Sequence, residues 1–164
     1  MTDEAAQRAA VVAEALSWIG TPYHARARIK GRKGGVDCAL FLAEVYERAG
    51  VIERVTPPHY PQDWHLHCAE GDERFVETIL SRAVEFPGPP QPGDVVSYKI
   101  GHAFAHAAIV TGPWPAIVHS DLDARCVIKA DGTKGRHAHE NTGRPRPVRF
   151  FTLWPGPIAP VAMP

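Results

Sequence analysis

Apolar residues follow two different rhythms along the chain. Through the first half they recur at three- and four-residue spacing, and through the second they form short runs bounded by glycine and proline. Ala5, Ala9, Val12, Leu16 and Ile19 predict the buried stripe of a helix over residues 3–19, with Glu4, Gln7, Arg8 and Glu14 turned away. Gly20 stops it, and Thr21-Pro22 turns the chain into Tyr23. Phe41, Leu42, Val45, Tyr46 and Ala49 predict a second helix, closed by Gly50. Asp37 stands where its N-cap belongs, which makes Cys38 the first helical residue. Residues 24–35 form a basic connection whose glycines let the backbone come close to that helix start.

Beyond Gly50, a connection with Val51, Ile52, Pro57 and Pro58 leads to the segment 60–67 (YPQDWHLH). Residues 63–82 predict one helix or two short ones, with Phe75, Ile79 and Leu80 as core positions. The breaker cluster 86–92 separates this helical half from five predicted strands at 95–98, 105–110, 116–120, 126–128 and 148–154. The tract 131–147 reads as a long loop. Helices followed by a mostly antiparallel five-stranded sheet give an α+β class, as one domain over 1–155 with a proline-rich tail at 156–164.

Composition narrows the functions open to such a domain. A chain of 164 residues buries about 70% of its unfolded surface and needs no disulfide or metal for stability. Eighteen basic against 18 acidic residues argue against a nucleic-acid or anionic-membrane binder. No apolar run approaches the ~20 residues of a membrane span, and the N-terminus lacks a basic-then-apolar leader. The expectation is a protein made in the cytoplasm without a signal peptide. Three widely spaced cysteines do not resemble a disulfide framework.

Candidate chemistry gathers on Cys38. A thiol at a helix N-terminus meets the positive end of the dipole and unpaired N–H groups, both of which favour the nucleophilic thiolate. The competing reading is a small buried hydrophobe. A nucleophilic cysteine needs a base and a group that orients the base. His106 lies inside a strand of small apolar residues, and His119 lies in the next strand on the face of Ile117. If those strands are neighbours, the two imidazoles lie side by side on the face that packs the Cys38 helix. His102 shares the parity of His106 and competes as base. His65 and His67 supply two ligands where a zinc site needs three or four; a metal-binding reading would draw on His24, His102, His106, His137 or His139. Cys68 and Cys126 follow no N-cap at the mouth of an apolar helix.

Taken together, residues 15–23 (ALSWIGTPY), Val36-Asp37-Cys38, residues 92–96 (PGDVV), residues 106–110 (HAAIV) and Ile117-Val118-His119 resemble the NlpC-type cell-wall cysteine peptidases, in their order. The resemblance spans residues 10–120 and implies a papain-like α+β fold, with Cys38 as nucleophile, His106 as base and His119 as orienter. It also implies Tyr23 lining the site, Asp37 beside the substrate, no metal or cofactor, and the D-glutamyl to diamino-acid bond of peptidoglycan stem peptides as the target. Segment 60–67 resembles a subgroup of phage and prophage tail regions, which implies phage tail proteins as partners. Ala39-Leu40 departs from the Ser-Gly that the family places after the cysteine. Arg26, Arg28 and Lys30 are further candidates to meet stem-peptide carboxylates. Other enzymes of this fold, amidases, deamidases and acyltransferases, remain open, as does a structural role in tail assembly.

Overall fold

The computed structural model describes residues 3–56, 58–61 and 63–156. Pro57, Gln62 and the tail from residue 157 lie outside the described residues, and so does the side chain of Leu80. Helix α1 (Glu4–Ser17) starts at Asp3, whose side chain accepts from the Ala5 N–H at 3.1 Å. Its inward face differs from the predicted one. Val11, Ala15 and the C-cap residue Trp18 are fully buried, whereas Ala5, Ala9 and Ile19 are exposed. Trp18 sets this rotation, because its indole carries the largest apolar surface nearby and packs edge-on against Phe41 at 6.1 Å. The rotation also brings Arg8 onto Asp94 (2.8 Å) and Gln7 onto the Trp154 indole N–H (2.7 Å).

A small antiparallel hairpin, β1 (Arg28–Ile29) and β2 (Gly35–Val36), leads directly into α2 (Cys38–Arg48). Leu40, Phe41, Leu42, Val45 and Tyr46 of α2 are buried, and Gly50 with φ 73° ends it after the cap residue Ala49. Two short helices follow, α3 (Trp64–His67) and α4 (Arg74–Leu80). Val76, absent from the predicted core, is fully buried in α4, while Phe75 and Ile79 pack partly buried against the core.

The main sheet has six strands in the order β3-β8-β4-β5-β6-β7: β3 (Val84–Phe86), β4 (Val95–Ile100), β5 (Ala103–Val110), β6 (Ala116–Asp121), β7 (Cys126–Asp131) and β8 (Val148–Thr152). All pairings are antiparallel. The strand beyond the predicted five is β3, an edge strand of three residues too short to show an alternation. One sheet face, with Val95, Ala107, Ile109, Val118 and Phe151, packs α1 and α2. The other carries Val96, Tyr98, Ala108, Val110 and Ile117 under Trp114 and Phe150. No helix among the described residues is long and apolar enough to cross a membrane.

Candidate active site

Cys38 is placed by the chain before it. A Cβ on Gly34 would lie 1.9 Å from the Ile29 carbonyl oxygen, and one on Gly35 would lie 2.4 Å from the His24 ring. Only glycine lets the hairpin close this tightly in front of α2. The Val36 carbonyl then accepts from Ser120 Oγ of β6 at 2.8 Å, and Cys38 Sγ lies 4.0 Å from the Ala105 carbonyl of β5. Strands β5 and β6 pair only at Ile109–Val118 and Val110–Ile117. Beyond that they part, and the start of α2 sits between them.

Asp37 caps α2 as expected, Oδ1 accepting from the Leu40 N–H at 2.9 Å. Its other oxygen accepts from the Arg26 N–H (2.7 Å) and the Tyr60 hydroxyl (3.0 Å). Expected beside the substrate, this buried carboxylate lines the Cys38 cleft with both oxygens accepting from the protein, because a cap facing the core must satisfy its charge internally.

His106 Nε2 and His119 Nδ1 are hydrogen-bonded at 2.9 Å, and both rings are buried. The structure brings this predicted pair together, though on the other face of the sheet. His106 alternates with Ala107 and Ile109 of the α2-packing face and lies against Tyr98, with ring centroids 5.9 Å apart. Cys38 and His106 nonetheless share one cleft of about 470 Å³, since the parting of β5 and β6 opens it to both faces. Tyr23 lines the same cleft. His102 does not: it sits on the exposed turn between β4 and β5, its Nδ1 2.9 Å from the Cys68 carbonyl oxygen.

The basic connection is used differently from the expectation. Arg28 is committed to Glu44, Glu47 and the Val55 carbonyl, and Lys30 to Glu14. Arg26 alone of the three lines the cleft. Tyr60, His65 and Arg136 line it too; His65 entered the sequence reading only as half of a metal pair, Tyr60 only within segment 60–67, and Arg136 not at all. His137 is a further arrival. The tract read as a long loop extends β7 to Asp131, then forms a 3-10 turn (Gly135–His137) that buries His137 against His106 and His119. Of the five metal-reading candidates, only His106 and His137 converge, and His119 joins them.

Burial, then the adjacent Asp37 carboxylate, pushes the Cys38 thiol up to about 12 despite the helix N-terminus. Burial, then His119 and the Arg136 guanidinium, holds His106 well below the ordinary imidazole value. Both shifts disfavour the thiolate–imidazolium pair that the helix dipole alone would favour.

Helices packed on one face of this antiparallel sheet, with the α2 start between parted strands, define a papain-like α+β domain. Within that class the fold is that of NlpC/p60 domains. The chain is similar to NlpC1 from Trichomonas vaginalis, at TM-score 0.58 and 15% identity over 92% of this chain and 45% of that one, so it spans about half of the Trichomonas protein. It is similar to the NlpC/p60 domain of the peptidoglycan hydrolase SagA, at TM-score 0.55 and 17% identity over 87% of this chain and 96% of that domain. It is also similar to RipD from Mycobacterium tuberculosis, a non-catalytic NlpC/p60 protein adapted to peptidoglycan binding, at TM-score 0.54 and 13% identity over 90% and 98%. No family model and no curated protein sequence matches the chain.

Proposed function

We propose that this protein is a cysteine hydrolase that cleaves amide bonds of peptidoglycan stem peptides, with Cys38 as nucleophile, His106 as base and His119 as its orienter. One observation carries the reading: Cys38 opens α2 in the same cleft as His106, whose far nitrogen is held by His119 at 2.9 Å. With Nε2 engaged, Nδ1 is the His106 nitrogen left to serve the thiol. His106 takes the thiol proton as sulfur attacks the amide carbonyl, and the Cys38 N–H at the helix start faces the developing oxyanion. The protonated imidazole then gives its proton to the leaving amine, and water releases the acyl group. Tyr23 lines the substrate side, and Asp37 holds Arg26 and Tyr60 around it. Because the fold also serves the non-catalytic RipD, it is this side-chain constellation that supports activity. The phage-tail setting rests on segment 60–67 alone.

Digestion of purified peptidoglycan by wild type and Cys38→Ala, with product masses, tests the reading. Cleaved stem peptides from wild type alone are expected; intact peptides from both would overturn it. One feature favours a second substrate class. A mostly apolar cavity of about 350 Å³ adjoins the cleft, lined by Ala39, Leu42, Ile52, Phe75 and Ile79. It would suit the acyl chain of an ester or N-acyl substrate, and Cys38-dependent release of fatty acid from such a substrate, with peptidoglycan left intact, would select that alternative.

A further inference from the structure

His137 has no part in capping α2 or in serving the thiol, yet it is 2% exposed and packed against both histidines of the pair. Its ring stacks on His106 at 5.5 Å and meets His119 edge-on at 4.6 Å. One ring nitrogen from each of the three lies within 4.8 Å of the others, and no other His, Cys, Asp and Glu group among the described residues converges this way. The His137 ring is held as metal-bound imidazoles commonly are, with its far N–H facing backbone carbonyls. Backbone groups of Lys134 and Asp131 hydrogen-bond the His137 ring, and its Nε2 has no partner among the described residues. His119 Nε2, also without a hydrogen-bond partner, points to Asp121 Oδ2 at 3.9 Å, while Nδ1 meets His106.

We infer that His106, His119 and His137 form a three-histidine site for a divalent transition metal of the zinc class, and that metal bound there withdraws His106 from its role as base. Zinc–nitrogen bonds of about 2.05 Å at tetrahedral angles place ligand nitrogens about 3.3 Å apart. The His106–His119 pair, at 2.9 Å, has only to open by a few tenths of an ångström. Three imidazoles and no carboxylate select zinc, copper or nickel over magnesium and calcium. Arg136 opposes a dication, but its guanidinium is paired with Asp121 at 3.0 Å. When the metal takes the His106 Nε2 lone pair, the single ring proton moves to Nδ1. No proton is gained or lost, and no lone pair is left to receive the Cys38 proton. That consequence rests on the peptidase reading; the metal site does not.

The test is titration of the metal-free protein with Zn²⁺ by calorimetry and with Co²⁺ by visible absorption. One equivalent is expected in wild type and in Cys38→Ser, with affinity at least 100-fold lower in His137→Ala. The Co²⁺ form of His137→Cys should gain a sulfur-to-cobalt charge-transfer band, which a folded protein shows only if residue 137 is a ligand. No stoichiometric uptake by wild type would overturn the site, as would uptake lost in Cys38→Ser and kept in His137→Ala, or a His137→Cys form without the band. Hydrolysis should fall in proportion to Zn²⁺ occupancy and return with chelator. Full activity at full occupancy would overturn the inhibitory consequence. Metal binding by a protein that cleaves nothing would retain the site and discard the peptidase reading.

Discussion

At Cys38 two effects of one neighbour pull in opposite directions. Asp37 starts the helix whose dipole favours a thiolate, and its carboxylate stands beside the sulfur and disfavours one. Burial, the larger cause, acts in the same direction as the carboxylate and pushes the thiol up to about 12. Asp37→Asn removes the charge while keeping a cap, since Asn caps a helix about as well as Asp, though its Nδ2 then faces the Arg26 N–H that Oδ2 accepts from and some stability is lost. The expected outcome is an intact fold and a lower thiol pKa, read as faster iodoacetamide alkylation of Cys38 at pH 7. Each unit of downward shift increases the thiolate fraction about tenfold. A rate no faster than wild type would remove Asp37 as a cause. On the His106 side the imidazole must be neutral to accept a proton, and burial holds its pKa well below 6.5. The acidic limb of kcat/KM is therefore expected below pH 6.5. A limb at or above that value, measured with any substrate the protein cleaves, would contradict a buried neutral base.

Among the elements, the join between hairpin and α2 is the most constrained. Arg28 of β1 reaches Glu44 at 2.6 Å and Glu47 at 2.7 Å on α2, and Glu44 is 4% exposed. Glu44→Gln leaves Arg28 with Glu47 and the Val55 carbonyl but removes its buried partner. The expected loss is about 3 kcal/mol by urea denaturation, at the low end for a broken buried pair; a loss under about 1 kcal/mol would mean the pair is effectively solvated. The capped α2, its apolar stripe, Gly50 and five of the six main-sheet strands were legible, because each has a local signature: a cap, a period or a breaker. Interactions made across the fold were not. The inward face of α1 is chosen by Trp18 against Phe41 and by Arg8 against Asp94, partners far away in sequence. His106 and His119 were legible as a pair from strand adjacency, but their sheet face depends on where β5 and β6 part. His137 had no local signal, since a histidine in a polar, glycine-rich tract looks the same whether it is solvated or folded back.

Over the whole molecule, the histidine cluster ties stability to pH. His106 lies well below its ordinary value, His119 is held at about 3 and His137 at about 4, burial being the largest cause for each. In the unfolded chain all three titrate near 6.5. Above that pH both states leave them neutral, and they contribute no pH dependence. As pH falls through 6.5 the unfolded chain takes up protons that the native chain refuses, so native stability declines. Three such groups give a slope of at most about 4 kcal/mol per pH unit, approached between pH 5.5 and 4.5, before His137 begins to protonate in the folded state. The carboxyl groups of Glu44 and Asp121, held below their ordinary values, add a loss of the same sign only at lower pH. Urea denaturation of the metal-free protein at pH 7.5, 6.5, 5.5 and 4.5 is expected to show a plateau and then a steepening fall. Replacing His137 by Gln removes one titrating group and should lessen the slope by about 1.4 kcal/mol per pH unit, whatever it does to stability at pH 7.5. An unchanged slope would mean that His137 titrates alike in both states, and so that the tract 131–147 does not hold it against the pair in solution.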